Sequence, residues 1–323
     1  MAENKTTVEI TGRKIFFINP SYKIKNNIIA TLHELEYEVY TIENWRDVKN
    51  LLRLCPDSIC FFGVDSQLPL GNWMAMIRTF QSDDVLSSMV CGLLTERPLK
   101  ETREAMSAFN EVKLDAGVNT LNGNIETVKS ILINIIESNK AKGRRHFVRC
   151  PCFGERDAKV FLTFSNGNQT LMHEMKILDI SIATICVRIP QALSGKLWKG
   201  ESLPRATVVL ETRQFLTDLV VKAEQSLPDG NGLAILVYGG RLSPNEHRDV
   251  RSYIERTLQK QLMTKINGKE EDNTDYGLLA RNSKTLVTAE KSSAPKFAEK
   301  EAPAQEAAPA GEAKATESGT EAK

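Results

Sequence analysis

The apolar pattern of this chain changes period near residue 140, and that change limits the possible folds more than any other feature. Before it, short apolar runs alternate with helical spacings. Lys14–Ile18 is a strand-like run, and Ile28, Leu32 and Leu35 follow at helical spacing. Val39–Tyr40 reads as a second strand, and Val48, Leu51 and Leu52 as a short helix. Ser58–Val64 and Met89–Leu94 read as buried strands, with Trp73, Met76, Ile77 and Phe80 forming a helix face between them. Ile125, Val128, Leu132 and Ile135 make a last helix face. Strands alternating with helices predict a doubly wound α/β sheet.

After residue 140 the helical spacing stops. Val160–Phe164, Met175–Leu178, Ile185–Ile189, Thr207–Leu210, Phe215–Ala223 and Leu233–Val237 are short runs separated by turn sequences at 165–168, 226–232 and 239–240. This pattern predicts a six-stranded antiparallel sandwich or barrel. One helix closes it: Ser243-Pro-Asn-Glu246 is a capping box with proline at the first helical position, followed by the apolar face Val250, Tyr253, Ile254 and Leu258. Three units are therefore expected: an α/β domain over 1–140, a β-barrel domain over 141–264, and a tail over 265–323. The tail is rich in Ala, Glu, Lys and Pro and is expected to be disordered. Its small apolar island, Tyr276–Leu279 and Leu286–Val287, is expected to be ordinary variation in a tail rather than a docking peptide.

Charge narrows the function. The net charge of the 323 residues is +1, so no global field draws the chain onto a nucleic-acid polymer or a membrane, and any anion site must be local. No run approaches the roughly 18 apolar residues of a membrane span, and no signal peptide is visible. Three of the six cysteines, Cys60 among them, lie in apolar strand-like runs, and a soluble, reduced, cytoplasmic protein is expected. Cys150-Pro-Cys152 has no second pair at zinc spacing, and His146 and His173 stand apart. No phosphate-cradling glycine loop and no catalytic set is found. The chain reads as a non-enzyme without metal or cofactor.

Two local motifs remain. Arg144, Arg145 and Arg149 follow Gly143, where the last helix of the first unit should stop. Planar guanidinium forks suit phosphate and the O6/N7 edge of guanine. About 30 residues later, Asp179-Ile-Ser181 ends the strand-like MKIL and offers a carboxylate and a hydroxyl. Either motif alone is weak, since basic junctions are usually solvated and Asp-x-Ser is ordinary turn chemistry.

Together, RRHFVRCP, the strand DAKVFLTF, HEMKILDIS and the later strands and helix resemble a PilZ domain over about residues 143–263. The resemblance implies a receptor for the bacterial second messenger cyclic di-GMP. Arg145 and Arg149 would hold phosphates and guanine edges, Arg144 would support them, and Asp179 and Ser181 would contact a guanine. The entrance segment would wrap the ligand, change the arrangement of the two domains and signal to a protein effector, often in motility, adhesion or envelope functions. One departure stands out: the family's motif glycine falls on Thr184. If that turn needed a positive φ, a β-branched residue would strain it. The alternative is a scaffold whose barrel has lost its ligand.

The first unit resembles a receiver domain. Asp65 falls at the phosphoacceptor position, Leu68-Pro69 follows, and Thr95 matches the switch residue. The acids that should follow the first strand are missing, since that place reads Ile18-Asn-Pro-Ser21, and no strand-five Lys-Pro is found. A degenerate receiver that serves interaction or homodimerisation is expected, with an Asp65-phosphorylated regulator as the rival.

Overall fold

The computed structural model describes residues 10–152, 158–166 and 169–282. The first unit is a parallel sheet in the order β2-β1-β3-β4-β5, with β1 Ile15–Ile18, β2 Val39–Ile42, β3 Ile59–Gly63, β4 Val90–Thr95 and β5 Val118–Thr120. A π-helix (Ile24–Ile29) running into α1 (Ala30–Glu34), then α2 (Val48–Leu54), α3 (Leu70–Gln81), α4 (Leu99–Met106) and α5 (Ile125–Ser138) provide the crossovers. Helices cover both faces, so β1, β3 and β4 are buried at every position. That double burial explains why these strands read as unbroken apolar runs. Two cores result. Trp73, Met76, Ile77 and Phe80 fill one side with Phe16 and Phe62; Leu32, Val128, Leu132 and Ile136 fill the other with Phe17 and Phe61.

The second unit is antiparallel, in the order β6-β8-β7-β10-β11-β12-β9, and a β8–β9 pairing closes six of its strands into a barrel. The strands are β6 Cys150–Pro151, β7 Ala158–Asn166, β8 Gln169–Ile180, β9 Thr184–Ile189, β10 Ser202–Leu210, β11 Arg213–Ser226 and β12 Gly232–Tyr238. Alternating burial along β9 and β12 turns Ile185, Val187, Ala234 and Leu236 into the barrel. The turn sequence at 165–168 runs into residues 167–168, which lie outside the described set. α6 (Pro244–Thr264) starts at the expected capping box: Ser243 accepts from the Glu246 amide, and Glu246 reaches back to the Ser243 amide.

α6 belongs to both units. Val250, Tyr253 and Ile254 pack into the barrel core, while Leu262 packs into the parallel-sheet core. Between them, Gln259 bonds Thr41 twice, accepting from its amide at 3.1 Å and donating to its carbonyl at 2.9 Å.

The expectation of a tail disordered from residue 265 is corrected by the structure. Residues 265–282 fold back onto the first unit and end in a helical turn at 276–282. Ile266, Tyr276 and Ala280 are buried in its core, and Tyr276 meets the Trp45 ring edge-on at 5.9 Å. Asp272 accepts from Thr274 and from the Tyr276 hydroxyl, and its amide donates to the Arg46 carbonyl. The apolar island at Tyr276–Leu279 is thus a docking segment, and its host is this same chain. Leu286–Val287 and the rest of the tail lie outside the described residues.

Candidate functional site

The Arg-rich segment crosses the junction between the two units, and a close backbone crossing holds its start. The Arg145 amide donates to the Ile10 carbonyl, and the Arg13 amide donates to the Lys140 carbonyl. Gly12 and Gly143 face each other here. A Cβ on Gly12 would lie 2.1 Å from the Ala141 carbonyl oxygen, and its φ is +82°. Only glycine fits at that crossing. Lys142 is turned away, with its ammonium over the Tyr37 ring at 4.4 Å.

Beyond the crossing, Arg144, Arg145, Phe147 and Arg149 are all exposed. None of the three arginines makes a side-chain hydrogen bond or ion pair among the described residues. β6 then pairs with the end of β8, placing Pro151 opposite Asp179 and Cys150 opposite Ile180. This short pairing brings the arginines to the second motif. Burial raises the half-buried Asp179 carboxyl above its ordinary range, against the opposing pull of the Arg149 and Arg145 charges. Carboxylate and guanidinium groups therefore share one field without being spent on each other.

Ser181 is placed differently. It is buried, and its hydroxyl accepts from the amides of Ala183 and Thr184 and lies 2.9 Å from the Thr184 hydroxyl. It builds the β8–β9 turn, while Asp179 faces the arginines. Thr184 opens β9 and is not among the residues with positive φ. The strain expected at this position does not arise, because the hydroxyl pair of Ser181 and Thr184 closes a turn that needs no left-handed residue.

Two residues were missed in the sequence. Phe147 exposes an aromatic face between Arg145 and Arg149, with a relative exposure of 42%. A ring so placed can stack on a base. Glu36 lies in the first unit and touches the Arg segment: one carboxylate oxygen accepts from the Val148 amide at 3.3 Å, and the other pairs with Arg251 of α6 at 3.0 Å. Glu36 ends α1 with φ +60° in a Schellman turn, where the Tyr37 amide donates to the Leu32 carbonyl and the Glu36 amide to that of His33. Glycine is the usual residue there, so glutamate holds an unfavourable backbone for its carboxylate. Beside it, burial lowers the His33 pKa to about 4 and raises that of Glu255 to about 7. Their 3.6 Å contact is therefore not a full ion pair at neutral pH, and the Arg251 charge acts on Glu255 as well as on its partner Glu36.

The receiver-like centre is occupied by its own side chains. Asp65 accepts from the Thr95 hydroxyl at 2.7 Å and the Glu96 amide at 2.6 Å, and Arg97 lies 3.5 Å away. Where acids would sit after β1, Asn19 donates to the Gly63 carbonyl and accepts from Ser66 and Gln67. A phosphoacceptor needs clustered carboxylates to hold Mg²⁺, and no metal-holding group of His, Cys, Asp and Glu occurs among the described residues. Incubation with acetyl phosphate is expected to leave the intact mass unchanged; a gain lost in Asp65→Ala would reverse this reading.

No family model matches the sequence, and no curated protein matches it. Solved structures do match, each over part of the chain. The cyclic di-GMP-bound PilZ domain of YcgR from Escherichia coli matches 38% of this chain and 98% of its own, at 16% identity and a TM-score of 0.32. The Bacillus subtilis inhibitor of motility MotI/DgrA matches over 36% of this chain and 52% of its own, at 23% identity and a TM-score of 0.29. The chemotaxis response regulator CheY4 of Vibrio cholerae matches over 38% of this chain and 98% of its own, at 18% identity and a TM-score of 0.32. Each of these matches spans less than two fifths of this chain.

Proposed function

We propose that this protein is a non-enzymatic cytoplasmic receptor that binds cyclic di-GMP on the barrel face beside the Arg segment. One observation carries the reading: the β6–β8 pairing sets the end of the Arg segment beside Asp179, whose carboxyl feels the Arg149 and Arg145 charges, while none of the three is bonded to another. An anion with a guanine edge satisfies all three, phosphate taking the guanidinium forks and guanine N–H groups donating to the carboxylate. Arg144 supports them from the exposed side of the segment, and Ser181 acts mainly by fixing the turn that carries Asp179. Calorimetric titration of cyclic di-GMP into the full chain tests the proposal. Saturable heat at micromolar ligand is expected, and silence at high micromolar ligand would leave the interaction-only scaffold standing.

Signalling would pass through Glu36. A ligand wrapped by residues 144–149 pulls Val148 away from the Glu36 carboxylate and frees that carboxylate to Arg251 alone. The two units then rearrange about α6, which they share. Such a shift occurs only if the ligand favours one arrangement. Glu36→Gly removes the latch and suits the positive φ, so it is expected to keep the fold and tighten cyclic di-GMP several-fold. Unchanged affinity would disconnect the latch from the ligand. The effector would be a protein, and the barrel exposes Met172, Trp198 and Leu216 for such contact. No helix among the described residues is long and apolar enough to cross a membrane.

A further inference from the structure

A cavity of about 400 Å³ lies between the two units, with Arg149 in its lining. Its floor is apolar, made by Leu258 and Leu262 of α6 with Leu54, Pro56 and Pro151. Its rim carries Arg13, Lys14, Arg149 and Lys265 against Glu38 and Asp57. Lys14 is paired with Glu38 at 2.9 Å. Arg13, Arg149 and Lys265 make no side-chain hydrogen bond or ion pair among the described residues. They come from three separate elements: the start of β1, the junction segment and the end of α6. Like charges drawn to one cavity from distant parts of a chain repel, and an anion between them removes that cost.

We infer that this cavity is an anion site for a phosphate monoester carrying a flat apolar body, of the size and chemistry of a mononucleotide. The rim has two positive charges in excess, matching a phosphate monoester that carries nearly two negative charges at neutral pH. The apolar floor takes the body, and the volume falls in the range of small-ligand pockets. The site goes beyond the receptor reading and does not depend on it. Arg149 faces both places, so its removal cannot separate them. Arg13 and Lys265 belong to the cavity alone, and Asp179 to the barrel face alone.

Titration of 5′-AMP and 5′-GMP into the full chain, with inorganic phosphate as reference, tests the inference. Both nucleotides are expected to bind, and more tightly than phosphate. Arg13→Ala and Lys265→Ala are each expected to weaken them by about tenfold or more, the loss of one charge-assisted hydrogen bond. Asp179→Asn is expected to leave them unchanged. Lys265 is exposed, so its variant reads out binding even if Arg13→Ala folds poorly. No heat from either nucleotide at low-millimolar concentration overturns the site. So does binding indifferent to both cavity variants, and so does loss in Asp179→Asn, which would place the nucleotide on the barrel face. None of these outcomes decides whether cyclic di-GMP binds, because that titration is separate.

Discussion

Replacing Arg145 and Arg149 together by alanine is expected to weaken cyclic di-GMP binding by more than about a hundredfold, since each guanidinium–phosphate contact contributes about 1.5–3 kcal/mol. The fold should survive, because both side chains are exposed and hold nothing else in place. The same variant should also change the Asp179 carboxyl. Burial already raises it, and the two arginines oppose the rise. Without them, Asp179 should titrate at higher pH, which a carbon-detected carboxyl titration would follow. A raised carboxyl pKa favours the folded state only at low pH, and that contribution is lost as pH rises through the folded value. The variant should therefore lose a little stability in going from acid to neutral pH, relative to the parent. Equal ligand affinity in parent and variant would remove Arg145 and Arg149 from the site while sparing the receptor reading.

The second large effect is expected far from the Arg segment. Tyr276→Ala should destabilise the parallel-sheet unit by about 3 kcal/mol, the usual range for a buried aromatic. Tyr276 is 2% exposed, meets Trp45, and donates to Asp272. Leu278→Ala, only two residues away but 49% exposed, should cost less than about 0.5 kcal/mol. Urea unfolding of the two variants compares them directly. Similar midpoints would mean that residues 265–282 do not hold the core as described.

The contrast between these residues shows what could be read in the sequence. The barrel strands were legible because one face is buried and the other wet, which writes alternation into the residues. β1, β3 and β4 were legible because both faces are covered. α4 was not, since Thr102 is its one fully buried residue and its other positions are mostly charged or polar. β5 has three half-buried residues and leaves almost no pattern. The 265–282 segment was misjudged for a related reason. Ile266, Tyr276 and Ala280 fill gaps in a core built by others, so they follow no period of their own. At the candidate site, Arg145, Arg149 and Asp179 were legible through chemistry and order. Glu36 was not, because it meets Val148 across 112 residues and its importance lies in a backbone angle. Thr184 was read as a defect because the turn it closes with Ser181 depends on a hydroxyl pair that spacing does not reveal.

The two hydrogen bonds between Gln259 and Thr41 close one edge of the parallel sheet to assembly. β2 is the outermost strand on its side of the parallel sheet, and an outer strand offers unpaired backbone groups to any extended chain. By accepting from the Thr41 amide and donating to its carbonyl, the Gln259 carboxamide imitates one residue of a neighbouring strand. α6 thus stoppers that margin of the sheet. A second copy that extended the sheet would have to add at β5, the opposite margin, so any dimer built through this sheet would leave the shared helix and the Arg-rich junction uncovered.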